Sequence, residues 1–367
     1  MAQGRSTIGD VARQAGVSPT AVSRSLNGVI RLPPTTAGRI RKAATELGYH
    51  PHAQARSLST GRAFAIGIIV PEIANPFFSM LAGAAEMVAV DAGYDVVIWS
   101  TRNVPERELA CFARLTSGYV DGVLLITNHA DDGRLAREVK AASGRVVIVD
   151  EDVRGTRVPK IFVQNTTGGM LAIRHLIERG HRRIGHIGGP AGVMSAIERA
   201  EGWRRGLSEA GLKPRPTWHI CSEYEIDASR ADAGKLLDGN PELTAIFAGS
   251  DASALGVMYA ARERGIRIPD DLSLIGFDGM ALGELLGPPL TSIVQPIAQL
   301  GTLAAEYLMA MITRPTEHRQ DVAVSRLDVR LEVRGSVTEP RHDGIDRSTN
   351  KAVRSKKIDG GHPRPPR

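Results

Sequence analysis

The feature that most constrains this chain begins at residue 65, where short apolar runs alternate with amphipathic stretches of roughly 12–18 residues. Short runs of Val, Ile and Leu between helical stretches are typical of parallel strands that crossover helices bury on both faces. The alternation therefore predicts an α/β fold with two doubly wound lobes. The runs are Ile66–Val70, Val96–Trp99, Gly122–Ile126, Val146–Val149, Ile184–Ile187, Ala245–Ala248 and Leu272–Phe277.

The first 50 residues lack this alternation and predict three short helices. Thr7 and Asp10 have the spacing of a capping box, in which two side chains satisfy backbone N–H groups at a helix start. Gly16 ends that helix, and Ser18 caps the next, with Pro19 at the first helical position, where the missing N–H costs nothing. This order is the helix-turn-helix pattern. The helices are expected at about residues 7–15, 18–26 and 36–47.

Four segments follow from these patterns: an all-α headpiece, a linker, a two-lobed α/β domain and a polar, basic tail. The tail is rich in Pro and Gly and has no periodicity, so we expect it to be disordered. We place the first lobe at about 63–160 with a return crossing at 291–320, and the second at 161–290 with the C-terminal strand. The segments are residues 1–50, 51–62, 63–339 and 340–367.

Charge is distributed unevenly along the chain. Residues 1–62 contain nine Lys/Arg and two Asp/Glu, and residues 341–367 contain eight and three. Because the whole chain carries a formal charge of +6, residues 63–340 carry a net charge of −6. A basic module beside an acidic body indicates contact with a polyphosphate at one end of the molecule.

Composition and motifs exclude several classes of protein. No apolar run approaches the roughly 18 residues of a membrane helix, and the N-terminus lacks the apolar stretch of a secretory signal. Cys111 and Cys221 are too few for a disulfide framework or a metal cluster, and His181 and His186 are expected to serve structure. Dinucleotide, phosphate-loop and nucleophile-elbow motifs are absent. We therefore expect a cytoplasmic protein that is not an enzyme and holds neither metal nor cofactor.

The second predicted helix has the properties of a DNA-reading element. If Val22 packs inward, Thr20, Ser23 and Arg24 point outward toward the base edges of a major groove. Arg24 can donate two parallel hydrogen bonds to guanine. The alternative is a three-helix bundle with a basic, solvated face. Side chains better suited to phosphate oxygens are those of Ser18, Ser23, Asn27 and Tyr49.

The linker after the headpiece is short and Ala-rich, and it is too brief to be a stable helix alone. It contains Arg56 and Leu58, which a simple tether does not need. Both residues make sense if the linker folds on DNA, with Leu58 wedged between base steps from the minor groove. The alternative classes are a plain binding protein and a nucleotide-dependent enzyme of the same α/β type. A stand-alone sugar-binding protein has no use for such a segment.

Ten motifs occur in order along the chain. They are Thr7–Ser18, Val22–Asn27, Glu46–Pro51, Ala55–Leu58, Ile68–Pro71, Asn75–Phe78, Ile177–Gly189, Ile268–Asp278, Pro289–Pro296 and Leu331–Gly335. Together they resemble the lactose-repressor (LacI) family of bacterial regulators over about residues 6–337. The resemblance implies a repressor that binds a near-palindromic operator as a homodimer, with a sensor domain like a periplasmic binding protein that also dimerises.

The resemblance also indicates which headpiece and linker residues contact DNA. Pro19 departs from the family, which usually has a hydrogen-bonding side chain there, so base reading should depend mainly on Thr20 and Arg24. The expected DNA-binding residues are Ser18, Pro19, Thr20, Ser23, Arg24, Asn27, Tyr49, Arg56 and Leu58.

Ligands of doubly wound sheets bind beyond the carboxyl ends of the strands, and the residues found there are acidic, basic and aromatic. Carboxylates accept hydrogen bonds from sugar hydroxyls, Arg donates, and aromatic faces cover the apolar side of a ring. We expect a sugar or sugar derivative as effector, with a purine as the alternative. The resemblance supports Arg199 and Asp278 most directly. The expected effector-binding residues are Asn75, Phe77, Phe78, Asp150, Ser195, Arg199, Tyr224, Asp251 and Asp278.

Simpler roles remain open for some of these residues. For Asp251, a role as the N-cap of its helix is as well supported by the sequence as effector binding. One of Phe77 and Phe78 is expected in the core. Residues 150–152 form an acidic run that is expected to be mostly solvated, with one carboxylate facing the ligand.

Overall fold

A computed structural model describes residues 6–26, 30–49, 60–313 and 323–341. In this part of the chain the apolar runs form two six-stranded sheets, which confirms the predicted two-lobed α/β fold. From one edge to the other, the strands of the first sheet begin at residues 324, 160, 146, 122, 65 and 95, and those of the second begin at residues 330, 291, 273, 245, 184 and 219. No helix in the described residues is long and apolar enough to cross a membrane.

The first lobe is a sheet of parallel strand pairs with helices packed on it. Its central strands are fully buried because their Val, Ile and Leu side chains meet helices on both faces. Its strands are β1 Ala65–Val70, β2 Asp95–Ser100, β3 Gly122–Leu125, β4 Val146–Val149, β5 Lys160–Val163 and β11 Val324–Leu327. Its helices are α4 Pro76–Asp91, α5 Pro105–Thr116, α6 Arg134–Ala141 and the later helix α11 Ile297–Thr313.

The second lobe repeats this arrangement, except that its last strand pairs antiparallel with its neighbour. Its strands are β6 Ile184–Ile187, β7 His219–Ile220, β8 Ala245–Ala248, β9 Ser273–Asp278, β10 Thr291–Val294 and β12 Arg330–Glu332. Its helices are α7 Asn165–Glu178, α8 Met194–Glu209, α9 Ile226–Gly239 and α10 Asp251–Glu263.

The chain passes between the lobes three times, after β5, after β10 and after β11. Two details differ from the expected lobe boundaries. Strand β5 extends the first lobe to residue 163, and strand β10 belongs to the second sheet, so that α11 makes the return crossing. Both strands include polar side chains, so neither forms a continuous apolar run like the seven from which strands were predicted.

The headpiece contains the three expected helices, α1 Ile8–Ala15, α2 Pro19–Leu26 and α3 Pro34–Glu46. Thr7 and Asp10 form the capping box, and Gly16 closes α1 in the left-handed conformation at φ 67°. The Ser18 hydroxyl accepts a hydrogen bond from the N–H of Ala21 at 3.2 Å. Helix α3 begins two residues earlier than expected, because proline fits the first turn of a helix.

A small apolar core holds these three helices together. Val22 of α2 is fully buried against Val11 and Ala12 of α1 and Ile40 of α3. With Val22 turned inward, the opposite face of α2 is presented to solvent, as expected.

Trp203 of α8 anchors the core of the second lobe. It is 2% exposed, and its indole N–H donates to the carbonyl of Ile184 at 3.2 Å. Removing a buried aromatic side chain costs about 3–5 kcal/mol, so we expect Trp203→Ala to lower the free energy of unfolding by that amount. Urea denaturation followed by circular dichroism measures it. Tyr119→Ala is the control, because Tyr119 is 61% exposed and its removal should change stability by less than about 0.5 kcal/mol.

Candidate functional sites

The outward face of helix α2 carries the side chains that were expected to meet DNA. Ser18, Pro19, Thr20 and Arg24 are exposed, whereas Ser23 is half-buried. Tyr49 is also half-buried and packs against the headpiece core, which leaves less of its ring available than its assignment implied. The remaining expected contacts, Asn27, Arg56 and Leu58, lie outside the described residues.

Arg199 is the centre of the second site, which lies at the carboxyl ends of the strands. Its side chain is 3% exposed. Its Nε donates to Asn165 Oδ1 at 2.9 Å, and its Nη1 donates to the carbonyl of Gly249 at 2.6 Å. The guanidinium carbon lies 3.8 Å from the centre of the Phe277 ring. These partners are uncharged, so they do not neutralise Arg199. Its positive charge acts through space on the carboxyl groups nearby.

Close packing of two helices sets the position of Arg199. A Cβ on Gly202 of α8 would lie 2.4 Å from the carbonyl oxygen of Thr166 and 2.8 Å from the Cα of Gly169, both on α7. Only glycine permits that approach, which brings Arg199 within hydrogen-bonding distance of Asn165 at the start of α7.

Two acidic residues beside the guanidinium, Asp251 and Asp278, are linked by a hydrogen bond. Asp278 Oδ2 accepts from the N–H of Asp251 at 3.3 Å, and Asp278 Oδ1 accepts from Gln295 Nε2 at 2.7 Å. Asp251 accepts from Ser292 Oγ at 2.6 Å and from the N–H of Met280 at 2.7 Å.

The N-cap role considered for Asp251 is wrong. Ser250 caps helix α10 by accepting from the N–H of Ser253 at 3.0 Å. Asp251 is the first residue of the helix, and its carboxylate is directed to the neighbouring strand and loop instead.

The two lobes meet at helix α8 of the second lobe. Glu151, which follows β4 of the first lobe, accepts from the N–H of Ser195 at 3.1 Å. Ser195 Oγ and Tyr224 Oη are 3.1 Å apart. On the same helix Glu198 pairs with both terminal nitrogens of Arg326 from β11, at 2.7 and 2.8 Å. The cleft is therefore lined by side chains of both lobes.

The acidic run at 150–152 is not mostly solvated. Asp150 and Glu151 are buried, and Asp152 pairs with Lys160. Asp150 adopts a left-handed φ of 69°, which turns the chain sharply after β4. Two carboxyl groups, those of Asp150 and Glu151, therefore lie at the cleft after strand β4, where one was expected.

The start of helix α4 is stabilised by a cap from Asn75 and by core packing of Phe77 and Phe78. Asn75 caps the helix by accepting from the N–H of Phe77 at 3.0 Å. Both phenylalanines belong to the main core cluster, where one had been expected, and their rings meet edge to face at 5.2 Å. The structure does not bring these three residues into hydrogen-bonding contact with the Arg199 cluster within the described residues.

Burial raises the pKa of all four carboxyls around Arg199, because the charged form loses hydration. It raises the pKa of Glu151 to about 8, with the charge of Asp150 adding to the effect. Burial and then the charge of Asp251 raise the pKa of Asp278 to about 8. The pKa of Asp251 is raised to about 6 and that of Asp150 is also raised, in each case by burial.

Three residues of this cluster were not predicted: Glu151, Asn165 and Gln295. Glu151 directly follows Asp150, and Gln295 directly follows β10. Asn165 comes two residues after β5. Reading the carboxyl ends of those strands would have found Asn165 and Gln295, but β5 and β10 were not recognised as strands.

His181 and His186, which were expected to serve structure, each lie within hydrogen-bonding distance of other residues. His181 Nδ1 lies 2.9 Å from Thr244 Oγ1, and its Nε2 lies 2.8 Å from the carbonyl oxygen of Thr338. His186 Nδ1 lies 2.9 Å from the carbonyl oxygen of Phe247. Within the described residues, no group of three or more His, Cys, Asp or Glu side chains is placed to hold a metal ion.

The raised pKa of Asp278 predicts a change in the pH dependence of stability. Folded Asp278 keeps a proton up to about pH 8 that the unfolded chain releases near pH 4, so its contribution to stability is lost as pH rises. Asp278→Asn removes this loss. The stability of the variant relative to the parent should therefore rise with a slope of about one proton between about pH 5 and 8.

Urea unfolding at several pH values measures this slope. Glu263→Gln is the control, because Glu263 is an exposed carboxylate whose pKa is lowered by its hydrogen bond to Arg230 and which stays ionised in this range. A flat difference between Asp278→Asn and the parent would contradict the raised pKa.

Comparisons with known proteins agree with this architecture. Residues 7–52 match the family of bacterial regulatory proteins of the lacI type, and residues 173–337 match a periplasmic binding protein-like domain. The chain is 38% identical over 308 residues to the ribose operon repressor of Halalkalibacterium halodurans, which covers 84% of this chain and 91% of the relative.

Two solved structures have the same arrangement. A lac repressor dimer bound to operator and an anti-inducer is similar with a TM-score of 0.80 and 25% identity, over 91% of this chain and 100% of that one. A complex of the transcriptional regulator CelR with cellobiose is similar with a TM-score of 0.69 and 30% identity, over 90% of this chain and 100% of that one.

Proposed function

The chain belongs to the lacI family of bacterial regulatory proteins. On this premise we propose which of its residues read DNA, which bind the effector and which form the dimer interface. The protein is a DNA-binding transcriptional repressor that binds an operator as a homodimer under the control of a small-molecule effector. Helix α2 reads operator bases with Thr20 and Arg24, and the cleft around Arg199 binds the effector. Because a regulator acts where its operator lies, we place the protein in the cytoplasm and assign it no catalytic reaction.

The exposed face of α2 supports the first part of this proposal, which is that Thr20 and Arg24 read operator bases. Thr20 and Arg24 lie one turn apart on the helix that a helix-turn-helix protein inserts into the major groove. The planar guanidinium of Arg24 can donate to O6 and N7 of one guanine. The excess of Lys and Arg in residues 1–62 adds the electrostatic attraction that positions the headpiece on phosphates. Leu58 remains the proposed wedge.

The cluster around Arg199 is the single observation that carries the second part. A buried guanidinium and four buried carboxyls are expensive to desolvate, and strongly perturbed ionisable groups in a cleft are typical of functional sites. Ser195 and Tyr224 add hydroxyl groups beside them. A sugar or sugar derivative fits these groups, and the ribose repressor and the cellobiose complex among similar proteins support that class.

A third feature is an apolar stripe on the first lobe, which we assign to the dimer interface. Met80, Met87 and Val90 of helix α4 are 47%, 69% and 56% exposed, and Ile98 of strand β2 is 44% exposed. Positions 80 and 87 lie two turns apart and therefore share a helix face. A second copy of the chain is the occupant, since the lac repressor of the same fold was solved as a dimer on its operator.

Replacing Arg24 by Ala tests base reading. The variant should lose about 1–3 kcal/mol of operator binding per half-site and discriminate less at one base pair, because a bidentate contact to one base is removed. Fluorescence anisotropy with the operator, single-base variants of it and random DNA measures both effects. Arg13→Ala is the control, since Arg13 is equally charged and exposed but lies on α1. An equal loss on operator and random DNA would contradict the role of Arg24.

Replacing Met87 by Asp tests the dimer. A charge in an apolar interface must be desolvated without a partner, so we expect the variant to be a monomer in sedimentation velocity runs. A monomer grips one half-site without its tethered partner, so operator affinity should fall by on the order of 100-fold. Tyr259→Asp, which alters a residue that is 49% exposed on α10, should leave both measurements unchanged. A dimeric Met87→Asp protein would place the interface elsewhere.

A further inference from the structure

A chain of four polar side chains runs from the buried cleft to the outer edge of the first sheet. Arg199 Nε donates to Asn165 Oδ1 at 2.9 Å, and Asn165 Nδ2 donates to Glu198 Oε2 at 3.4 Å. Glu198 in turn accepts from both terminal nitrogens of Arg326, at 2.7 and 2.8 Å. Three of these residues belong to the second lobe, and Arg326 is the member from strand β11 of the first.

Asn165 suits its place between a cation and an anion. It is fully buried, and an amide offers both an acceptor and donors, so its oxygen can face Arg199 while its nitrogen faces Glu198. A carboxylate at this position would repel Glu198, and an apolar side chain would leave both neighbours without this partner. The amide therefore links two oppositely charged side chains that are adjacent on α8.

Helices α7 and α8 are held in backbone contact. A Cβ on Gly169 of α7 would lie 2.7 Å from the carbonyl oxygen of Arg199 and 3.0 Å from the Cα of Gly202, both on α8. Backbones packed this closely leave no room for one helix to slide past the other. The three members of the chain on these helices are therefore fixed relative to one another, and a movement between the lobes changes their position relative to Arg326.

Arg326 lies beside the crossings between the lobes. It belongs to β11, the strand before the third crossing, and it pairs in register with Phe162 on β5, the strand before the first. Its Nη1 also donates to the carbonyl of Val163, the last residue of β5, at 3.3 Å, and its guanidinium carbon lies 5.4 Å from the centre of the Phe162 ring. The guanidinium thus joins α8 to the two strands from which the chain leaves the first lobe.

We propose that Asn165, Glu198 and Arg326 are positioning residues that fix the angle between the lobes and tie that angle to Arg199. The side chains of Glu198 and Arg326 are 22% and 34% exposed, so water screens their pair and its contribution to overall stability is small. Its two parallel hydrogen bonds give the contact a fixed direction. A ligand that displaces the guanidinium of Arg199 therefore acts on the crossings through these side chains. That consequence rests on the proposed effector site, whereas the lobe angle does not.

Distances between the two lobes measure this role directly. Spin labels are attached to the full-length protein through Arg137→Cys on α6 of the first lobe and Lys213→Cys after α8 of the second, both at exposed positions. Cys221→Ser removes the exposed native thiol, and Cys111 is buried. Double electron–electron resonance on dimers with one labelled subunit then gives the distribution of distances between the lobes.

Arg326→Gln and Glu198→Gln should each widen this distribution, because both lose the paired charges that hold α8 against β11. The double variant should widen it no further, since each change removes the same pair. The urea midpoints should stay close to the parent's, which separates positioning from a loss of stability. Arg330→Gln is the matched control, because Arg330 pairs with Glu332 at 2.6 Å within the second lobe, and it should leave the distribution unchanged.

Asn165→Leu tests the link to Arg199, because leucine has a branched side chain of similar shape but no hydrogen-bonding group. In the parent, Arg199→Gln should widen the distribution of distances, since Asn165 loses the donor that orients it. In the Asn165→Leu background the same change should widen it less, because the link is already broken. Equal widening in both backgrounds would show that Asn165 does not connect the cleft to the lobe angle.

Operator affinity shows whether the lobe angle reaches the DNA. Because the first lobe leads into the linker, Arg326→Gln and Glu198→Gln should shift operator affinity in the same direction, by about fivefold or more, and Arg330→Gln should not. Fluorescence anisotropy with the operator measures the shift. Unchanged distances or an unchanged operator affinity in both variants would overturn the inference, and would leave base reading by α2 and effector binding at Arg199 in place.

Discussion

The buried guanidinium of Arg199 is the group on which the cleft depends. Its removal from water is compensated by Asn165, the carbonyl of Gly249 and the face of Phe277, none of which carries a charge. Its positive field is therefore available to the surrounding carboxyls at the low effective dielectric of the interior. Without Arg199, the carboxyls of Asp150, Glu151 and Asp278 would lose the positive charge that opposes the rise of their pKa on burial.

The same cleft is also the contact between the lobes. Glu151 and Arg326 of the first lobe meet Ser195 and Glu198 on helix α8 of the second. The chain crosses between the lobes three times, and domain closure about crossings of this kind is a common response of two-lobed proteins to a ligand. The first lobe also fixes the chain that leads to the headpiece, since Asp121 accepts from the N–H groups of Ala63 and Phe64, both at 2.8 Å.

Much of the fold was predictable because buried parallel strands appear in the sequence as continuous apolar runs. All seven runs are strands, the headpiece helices begin and end near their capping residues, and Asp150, Ser195, Arg199, Tyr224, Asp251 and Asp278 do meet in one cluster. Short strands with polar residues, such as Lys160–Val163 and Thr291–Val294, were missed because they carry no such run. Asn165 and Gln295 were missed with them.

What the sequence determined by itself was local: the strand and helix periods, the caps, the basic headpiece and the family motifs. These depend on neighbouring residues and on net charge, which are visible in the order of the chain. Which carboxyls are buried was decided by the tertiary structure alone. Glu151 follows Asp150 in an acidic run that would be solvated on an exposed loop, yet helix α8 of the other lobe covers it. Burial and the distance to Arg199 arise from residues far apart in the chain, and these two quantities set the charge of the cleft.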